Sequence, residues 1–194
     1  KYSATLASVS VASFLYKKKG KPREDPTSYR KLSIGSFMNK VIDDLFSNQT
    51  QDIAQENQPE LQFGFSRGIN FISCGVLRET IVRTAIDEGK NPLMLACDVK
   101  NAFSRTSREA QLYELYQVGE RSRIWEYSKG TYSNTFTVIK NGRNYSEMIL
   151  ENRGSKQGGI KSPQDYKSYN GALFRMIKES GLGLKVAGED FGCI

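Results

Sequence analysis

The chain has 194 residues, of which 38% are hydrophobic and 25% charged, enough apolar side chain for one packed domain and too much for wholesale disorder. Lysine and arginine number 28 against 21 aspartates and glutamates, a formal charge of +7, which favours a polyanionic partner, nucleic acid first. Histidine is absent, which excludes Ser-His-Asp and Cys-His nucleophile systems and every imidazole metal site. Cys74, Cys97 and Cys193 show no CxxC spacing, so neither a disulfide framework nor a zinc ribbon is indicated, a reducing compartment fits, and any metal must sit on oxygen. No apolar run approaches the roughly 20 residues of a bilayer span, and Lys17, Lys18 and Lys19 follow the first apolar stretch where a signal peptide would carry small residues. An intracellular chain is therefore expected, nuclear or cytoplasmic, with no membrane partner. Lys1 in place of an initiator Met, and an end at Ile194 within an apolar stretch, read as a piece cut from something longer.

Ser8 to Tyr16, rich in Val, Phe and Tyr, reads as a strand running into a basic loop, Lys17 to Pro26. Phe37, Val41 and Leu45, with Ile42 and Phe46 beside them, predict an amphipathic helix from Ser36 that ends in the polar stretch Gln49 to Glu60. After the loop at Gly64 and Gly68, a second helix carries Ile69, Ile72, Val76 and Ile81 and stops near Gly89. The apolar run Leu93 to Cys97, between Pro92 and Asp98, predicts a buried strand that delivers Asp98 at its end. Thr106 and Glu109 have the spacing of a capping box for a helix through Leu112, Leu115 and Tyr116 that stops at Gly119, and a short helix is expected around Trp125. Thr135 to Lys140 and Arg143 to Leu150, joined by Asn141 and Gly142, carry the strongest hairpin signal. Gly154 to Lys161 is a glycine-rich loop, after which Ser162 reads as a cap, Pro163 as the first helical residue and Asp165 as a favourable charge at the helix start, with Leu173, Phe174 and Ile177 on the buried face. Leu182 to Val186 and Phe191 to Ile194 predict another hairpin, and the order of elements reads as α+β.

Three of these places could carry chemistry. A carboxylate at a strand end beside a backbone carbonyl suits Mg²⁺, which prefers hard oxygen ligands, although a strand-terminal Asp98 is also an ordinary cap. In the loop from Gly154 to Lys161, glycines permit close approach to a phosphate or base, and Gln157 can both donate and accept; the plainer reading is a strand-to-helix connection with Lys156 and Lys161 in solvent. The cations of the first loop, Lys17, Lys18, Lys19, Lys21 and Arg23, either neutralise phosphates along a groove or decorate a soluble hairpin tip.

Taken together, Tyr16 to Pro22 followed by Asp25 to Arg30, then Gln62-Phe63-Gly64-Phe65, then Cys97-Asp98-Val99-Lys100-Asn101-Ala102-Phe103, then Gly154-Ser155-Lys156-Gln157-Gly158 with Ser162-Pro163, resemble a reverse transcriptase. The order and spacing are those of the fingers and first half of the palm in the non-LTR, LINE-like type. The resemblance implies an RNA-directed DNA polymerase that uses Mg²⁺, an RNA template, a DNA primer and deoxynucleoside triphosphates. It makes Asp98 the first catalytic carboxylate, with the Val99 carbonyl helping to hold the metal. It sets Phe103 where the family excludes a ribose 2′-hydroxyl, Gln157 and Gly158 against the nucleotide and template base, and Lys21 and Arg30 at the triphosphate.

The fingers then cover about residues 1–91 and 119–150, and the palm about 92–118 and 151–194. Some positions depart from the family pattern: Ala102-Phe103-Ser104 stands for Ala-Phe-Asp, Tyr29-Arg30-Lys31 for Tyr-Arg-Pro, Gly64-Phe65-Ser66-Arg67-Gly68 for Gly-Phe-Arg-Pro-Gly, and Ile160 for a common proline. The hairpin bearing the paired Asp-Asp is expected beyond Ile194, so these residues alone are expected to be inactive. The alternative is a reverse-transcriptase-like scaffold that binds RNA or protein without catalysis.

Overall fold

The computed structural model describes residues 9–17, 20–57, 59, 61–66, 68–133 and 135–192. Lys18, Lys19, Arg67, Cys193 and Ile194 lie outside the described residues. Strand β1 (Val9–Tyr16) pairs antiparallel with β2 (Tyr29–Gly35), Ser10 opposite Gly35 and Tyr16 opposite Tyr29. On its other side β1 runs parallel to β3 (Thr135–Asn141), with Val9 opposite Phe136 and Ala12 opposite Ile139. β3 turns at Gly142, whose φ of +60° suits glycine, into β4 (Asn144–Tyr145), and pairs nearer its start with β5 (Ile149–Glu151). Small polar residues line the buried face of this sheet: the hydroxyls of Ser10 and Thr137 lie 3.0 Å apart, and Thr137 donates to Glu151 Oε1 (2.7 Å). Lys31 completes the group with an ion pair to Glu151.

Helices α1 (Phe37–Glu56) and α2 (Phe71–Asp87) begin at Ser36 and Asn70, whose side chains accept from the backbone amides of Asn39 (3.2 Å) and Ser73 (3.0 Å). The short turn α3 (Ala102–Arg105) leads to α4 (Arg108–Gln117) and α5 (Ser122–Ser133). After the sheet come α6 (Ser162–Glu179) and the hairpin of β6 (Leu184–Val186) and β7 (Glu189–Phe191), which packs on α2 through Ile81, Ala85 and Val186. Helices on small sheets make an α+β fold, as the element order implies. No helix among the described residues is long and apolar enough to cross a membrane.

The structure corrects several local expectations. Leu93 to Cys97 is neither a strand nor buried: Leu93 is 97% and Leu95 84% exposed. A strand needs a neighbour for its amides and carbonyls, and no strand among the described residues pairs with this run. Helix α1 forms but continues past Gln49 to Glu56, and it turns inward Asn39, Asp43, Thr50 and Ala54 while Phe37, Val41 and Leu45 stay exposed. Asp43 decides that orientation, because it accepts hydrogen bonds from Tyr127 and from the amide of Ile160, and the apolar stripe lies on nearly the opposite side of the helix. Ser107, not Thr106, caps α4: its hydroxyl accepts from the Ala110 amide (3.3 Å), while Thr106 donates back to the Ala102 carbonyl (3.1 Å). At α6, Ser162 is already helical and Lys161 stands at the cap with no capping bond. Ser162 and Asp165 point inward, whereas Leu173 is exposed and only Phe174 and Ile177 are half-buried.

One buried side chain ties three parts together. From the first turn of α4, the Arg108 guanidinium donates to the carbonyls of Gly154 (3.0 Å), Tyr132 (2.9 Å) and Glu151. Arg108→Met keeps the stem and strands three inward-facing acceptors, each worth about 1–3 kcal/mol when unsatisfied. Urea unfolding should show a loss of about 3 kcal/mol or more. Arg105→Met, at an exposed neighbouring position, should stay within about 0.5 kcal/mol; equal midpoints for the two variants would contradict the anchor.

Candidate active site

The glycine loop is built onto the turn that carries Phe103. The Gly154 amide donates to the Thr106 carbonyl (2.8 Å) and the Ser155 amide to the Phe103 carbonyl (2.8 Å). Gly154 has φ +91°, and a Cβ there would lie 2.9 Å from the Phe103 carbonyl oxygen, so the approach requires glycine. Below the loop, Ser155 Oγ and the Gln111 amide bond each other in both directions, at 2.9 and 3.1 Å. Further on, Gly158 has φ +79° and lies against β2: a Cβ would be 2.3 Å from the Ser33 carbonyl oxygen. Gln157 stands between these supports, its Nε2 donating to Ser104 Oγ (3.3 Å), while its Oε1 is buried with no partner among the described residues.

Phe103 is half-buried, so it is neither a fully buried core ring nor a free one. It stacks on Tyr166 of α6 (centroids 4.7 Å apart, planes at 25°) and meets Phe65 edge-on (6.2 Å, 84°). The four separated sequence blocks therefore have different fates. Phe65, Phe103 and Tyr166 form one aromatic group, and Gln157 meets the turn that carries Phe103 through Ser104, at a place here called the notch. Asp98 and Val99 are exposed on the irregular segment leading into α3. Lys21 is exposed in the first loop, where its carbonyl accepts from the Tyr16 hydroxyl. Arg30 alternates with Lys31 along β2 and shares an exposed face with Leu32 and Ile34. Lys17 donates to the Thr27 carbonyl (2.8 Å), bracing the hairpin tip.

Asp98 and Val99 offer a carboxylate and a carbonyl, oxygen donors of the kind a hard divalent cation takes. Among the described residues no group of three or more potential metal-ligating side chains gathers around them.

The sequence reading missed the polar interior behind the loop. Lys156 and Lys161 are buried rather than solvated, and Lys161, 3% exposed, sits between the carboxylates of Glu120 and Asp165. Burial by itself would pull the Lys161 ammonium down, but Asp165 and Glu120 together push it above the usual lysine value. Burial also pushes the Glu120 carboxyl up against the opposing pull of Lys161. Tyr132, fully enclosed, is pushed well above the ordinary phenol value by burial and then by Asp165, to which it donates (2.7 Å). The signal in the sequence was the spacing of Lys161 and Asp165, four residues apart on one helix face.

Gly158→Ala tests the seat of the loop. The substitution sets a methyl into the Ser33 carbonyl and strains a positive φ, so the chain should lose about 2 kcal/mol or more in a denaturant titration. Gly142→Ala, at a turn with open space around it, carries the φ penalty alone and should lose about 1 kcal/mol. A Gly158→Ala loss no larger than that of Gly142→Ala would contradict the close approach.

The notch joins an aromatic group with an amide that can both donate and accept, and Asp98 places a carboxylate on the segment leading into the Phe103 turn. Residues 16–187 match the family model described as reverse transcriptase (RNA-dependent DNA polymerase). Among similar proteins, a probable RNA-directed DNA polymerase from transposon BS of Drosophila melanogaster is 24% identical, over 84% of this chain and 18% of its own length. The Retrovirus-related Pol polyprotein from type-1 retrotransposable element R2 of Popillia japonica is 25% identical, over 72% of this chain and 20% of its own length. A probable RNA-directed DNA polymerase from transposon X-element of Drosophila melanogaster is 28% identical, over 79% of this chain and 17% of its own length. The chain thus spans at most about a fifth of the length of these relatives. With a match that runs through the basic loop, the Phe103 turn and the glycine loop in that order, the chain belongs to the reverse transcriptase family, the RNA-dependent DNA polymerases, in its LINE-like, non-LTR branch.

Proposed function

We propose that these residues are the fingers (about 1–91 and 119–150) and part of the palm (about 92–118 and 151–194) of a longer RNA-directed DNA polymerase. In the reaction, a primer 3′-hydroxyl attacks the α-phosphate of a deoxynucleoside triphosphate opposite an RNA template; a P–O bond to the primer forms, and pyrophosphate leaves. The observation that supports this best is the pair of backbone hydrogen bonds from Gly154 and Ser155 to Thr106 and Phe103. They unite the segment following Asp98 with the Gln157 loop, which is what a nucleotide spanning base, sugar and phosphate requires.

In this reading Phe103 occupies the space beside the sugar and turns away a 2′-hydroxyl, the group that distinguishes RNA from DNA precursors. Gln157 and Gly158 lie against the nucleotide and the template base, where a glycine backbone permits contact without a side chain in the way. Lys21 and Arg30 meet the triphosphate from the fingers. Asp98 and the Val99 carbonyl would hold Mg²⁺, which when bound with a second ion stabilises the attacking and leaving oxygens. The partners are an RNA template and a DNA primer, in the nucleus or cytoplasm. A reverse-transcriptase-like scaffold without catalysis would keep the nucleic-acid surface and extend nothing.

Asp98→Asn removes a ligand charge and keeps the shape. In the full-length protein that carries this segment, primer extension with Mg²⁺ should fall at least about a hundredfold, with template–primer binding unchanged. Undiminished extension by the variant would refute the carboxylate role, and binding without extension by the unaltered protein would support the scaffold. Phe103→Ala should relax sugar choice about tenfold in single-nucleotide incorporation assays comparing ribonucleotide with deoxyribonucleotide. Unaltered discrimination by a folded, active variant would leave Phe103 as packing for Tyr166 and Phe65.

A further inference from the structure

Behind the glycine loop lies a buried charge cluster that takes no part in the proposed chemistry. Lys161 Nζ is 2.5 Å from Glu120 Oε1, 2.5 Å from Asp165 Oδ1 and 3.2 Å from Ser128 Oγ, so each of its three protons has a partner. Ser128 donates to the other oxygen of Glu120 (2.8 Å), and Tyr132 donates to the other oxygen of Asp165 (2.7 Å). Lys161, Glu120 and Asp165 are all nearly inaccessible to solvent.

The residue before Lys161 is held from the opposite side. The Ile160 amide donates to Asp43 Oδ2 (3.3 Å) on α1, and Asp43 also accepts from Tyr127, whose ring stacks on Phe46 at 4.1 Å. Residues 160 and 161 are therefore clamped between α1, α5 and α6, immediately after Gly158 and Gly159. Two adjacent glycines have wide backbone freedom, and without a fixed far end they would let Gln157 move.

Stability does not explain a cluster of this kind. Burying an ammonium and two carboxylates offsets most of their attraction through lost hydration, and well-packed apolar side chains often serve a fold as well. A saturated charge cluster differs from an apolar contact in having one geometry.

We propose that Lys161, with Glu120 and Asp165, is a positioning residue for the incoming nucleotide: the cluster fixes the far end of the loop, and thereby where Gln157 and Gly158 stand against the nascent base pair. This rests on the polymerase reading. It acts on nucleotide affinity and leaves the chemical step to the Asp98 side of the notch.

The test is primer extension by the full-length protein that carries this segment, over a range of deoxynucleoside triphosphate concentrations. Lys161→Met should raise the nucleotide KM about tenfold while kcat stays within about threefold, with template–primer affinity unchanged. Glu120→Gln, which keeps the size of the side chain and removes one charge, should raise KM in the same direction by a smaller factor. Lys178→Met, in the exposed last turn of α6, should behave as the unaltered protein. An unchanged KM in a folded Lys161→Met protein, or a fall in kcat at constant KM, overturns the inference. Should Lys161→Met fail to fold, the KM of Glu120→Gln decides in the same way. Absence of extension by the unaltered protein would overturn the polymerase reading and this inference with it, whereas the KM results bear on the inference alone.

Discussion

An ammonium group removed from water must have its charge answered within a few ångströms, and Lys161 has that answer from two carboxylates and a hydroxyl. Those partners come from the loop after α4, from α5 and from α6, so the interaction exists only when all three are in register. Asp43 extends the constraint to α1 by taking the amide next to Lys161. The interior here is organised by directional polar contacts more than by apolar bulk, which is why α1 turns Asn39, Asp43 and Thr50 inward and leaves Phe37 and Leu45 in solvent. Glu120 is the member that burial drives toward its neutral form, and Lys161 opposes the change.

The notch inherits its shape from this interior. Arg108 and the Gln111–Ser155 pair fix the start of the glycine loop, Lys161 fixes its end, and β2 closes one side through Gly158. Within that frame the Phe103 ring has a defined place on Tyr166. Asp98 is different in kind: it lies on an exposed irregular segment, so its position owes little to packing among the described residues.

How much was legible in the sequence follows from which forces are local. The Asn141-Gly142 turn, the presence of helices α1 and α2 and the glycine that ends the α4 segment are matters of preference within a few residues, and the structure agrees with them, although α2 begins at Phe71, after Ile69, and leaves Ile72 and Val76 exposed with Ile81 buried. The order of four blocks was enough for the family. Which side of α1 is buried is decided by Tyr127 and Ile160, far away along the chain, so an apolar stripe alone misled. Leu93 to Cys97 has the composition of a buried strand, but composition does not supply the neighbouring strand. Lysines in a glycine loop read as solvated until Glu120, forty-one positions before Lys161, is seen to meet one of them. The resemblance pointed to Phe103 and Gln157, but their packing on Tyr166 and Ser104 and the anchoring of the loop by Arg108 depend on residues far along the chain and were not visible in it.

In the proposed polymerase a deoxynucleotide lies in the notch between Phe103 and Gln157 with its base over the glycine loop. The most direct measurement is photocrosslinking of an azido-purine deoxynucleoside triphosphate to the full-length protein on a template–primer, followed by peptide mapping of the label. Label is expected on the peptides carrying Phe103 and Gln157–Gly158, competed away by the templated unlabelled nucleotide and not by a mismatched one. Label confined to other parts of the chain, or insensitive to the template, would contradict it.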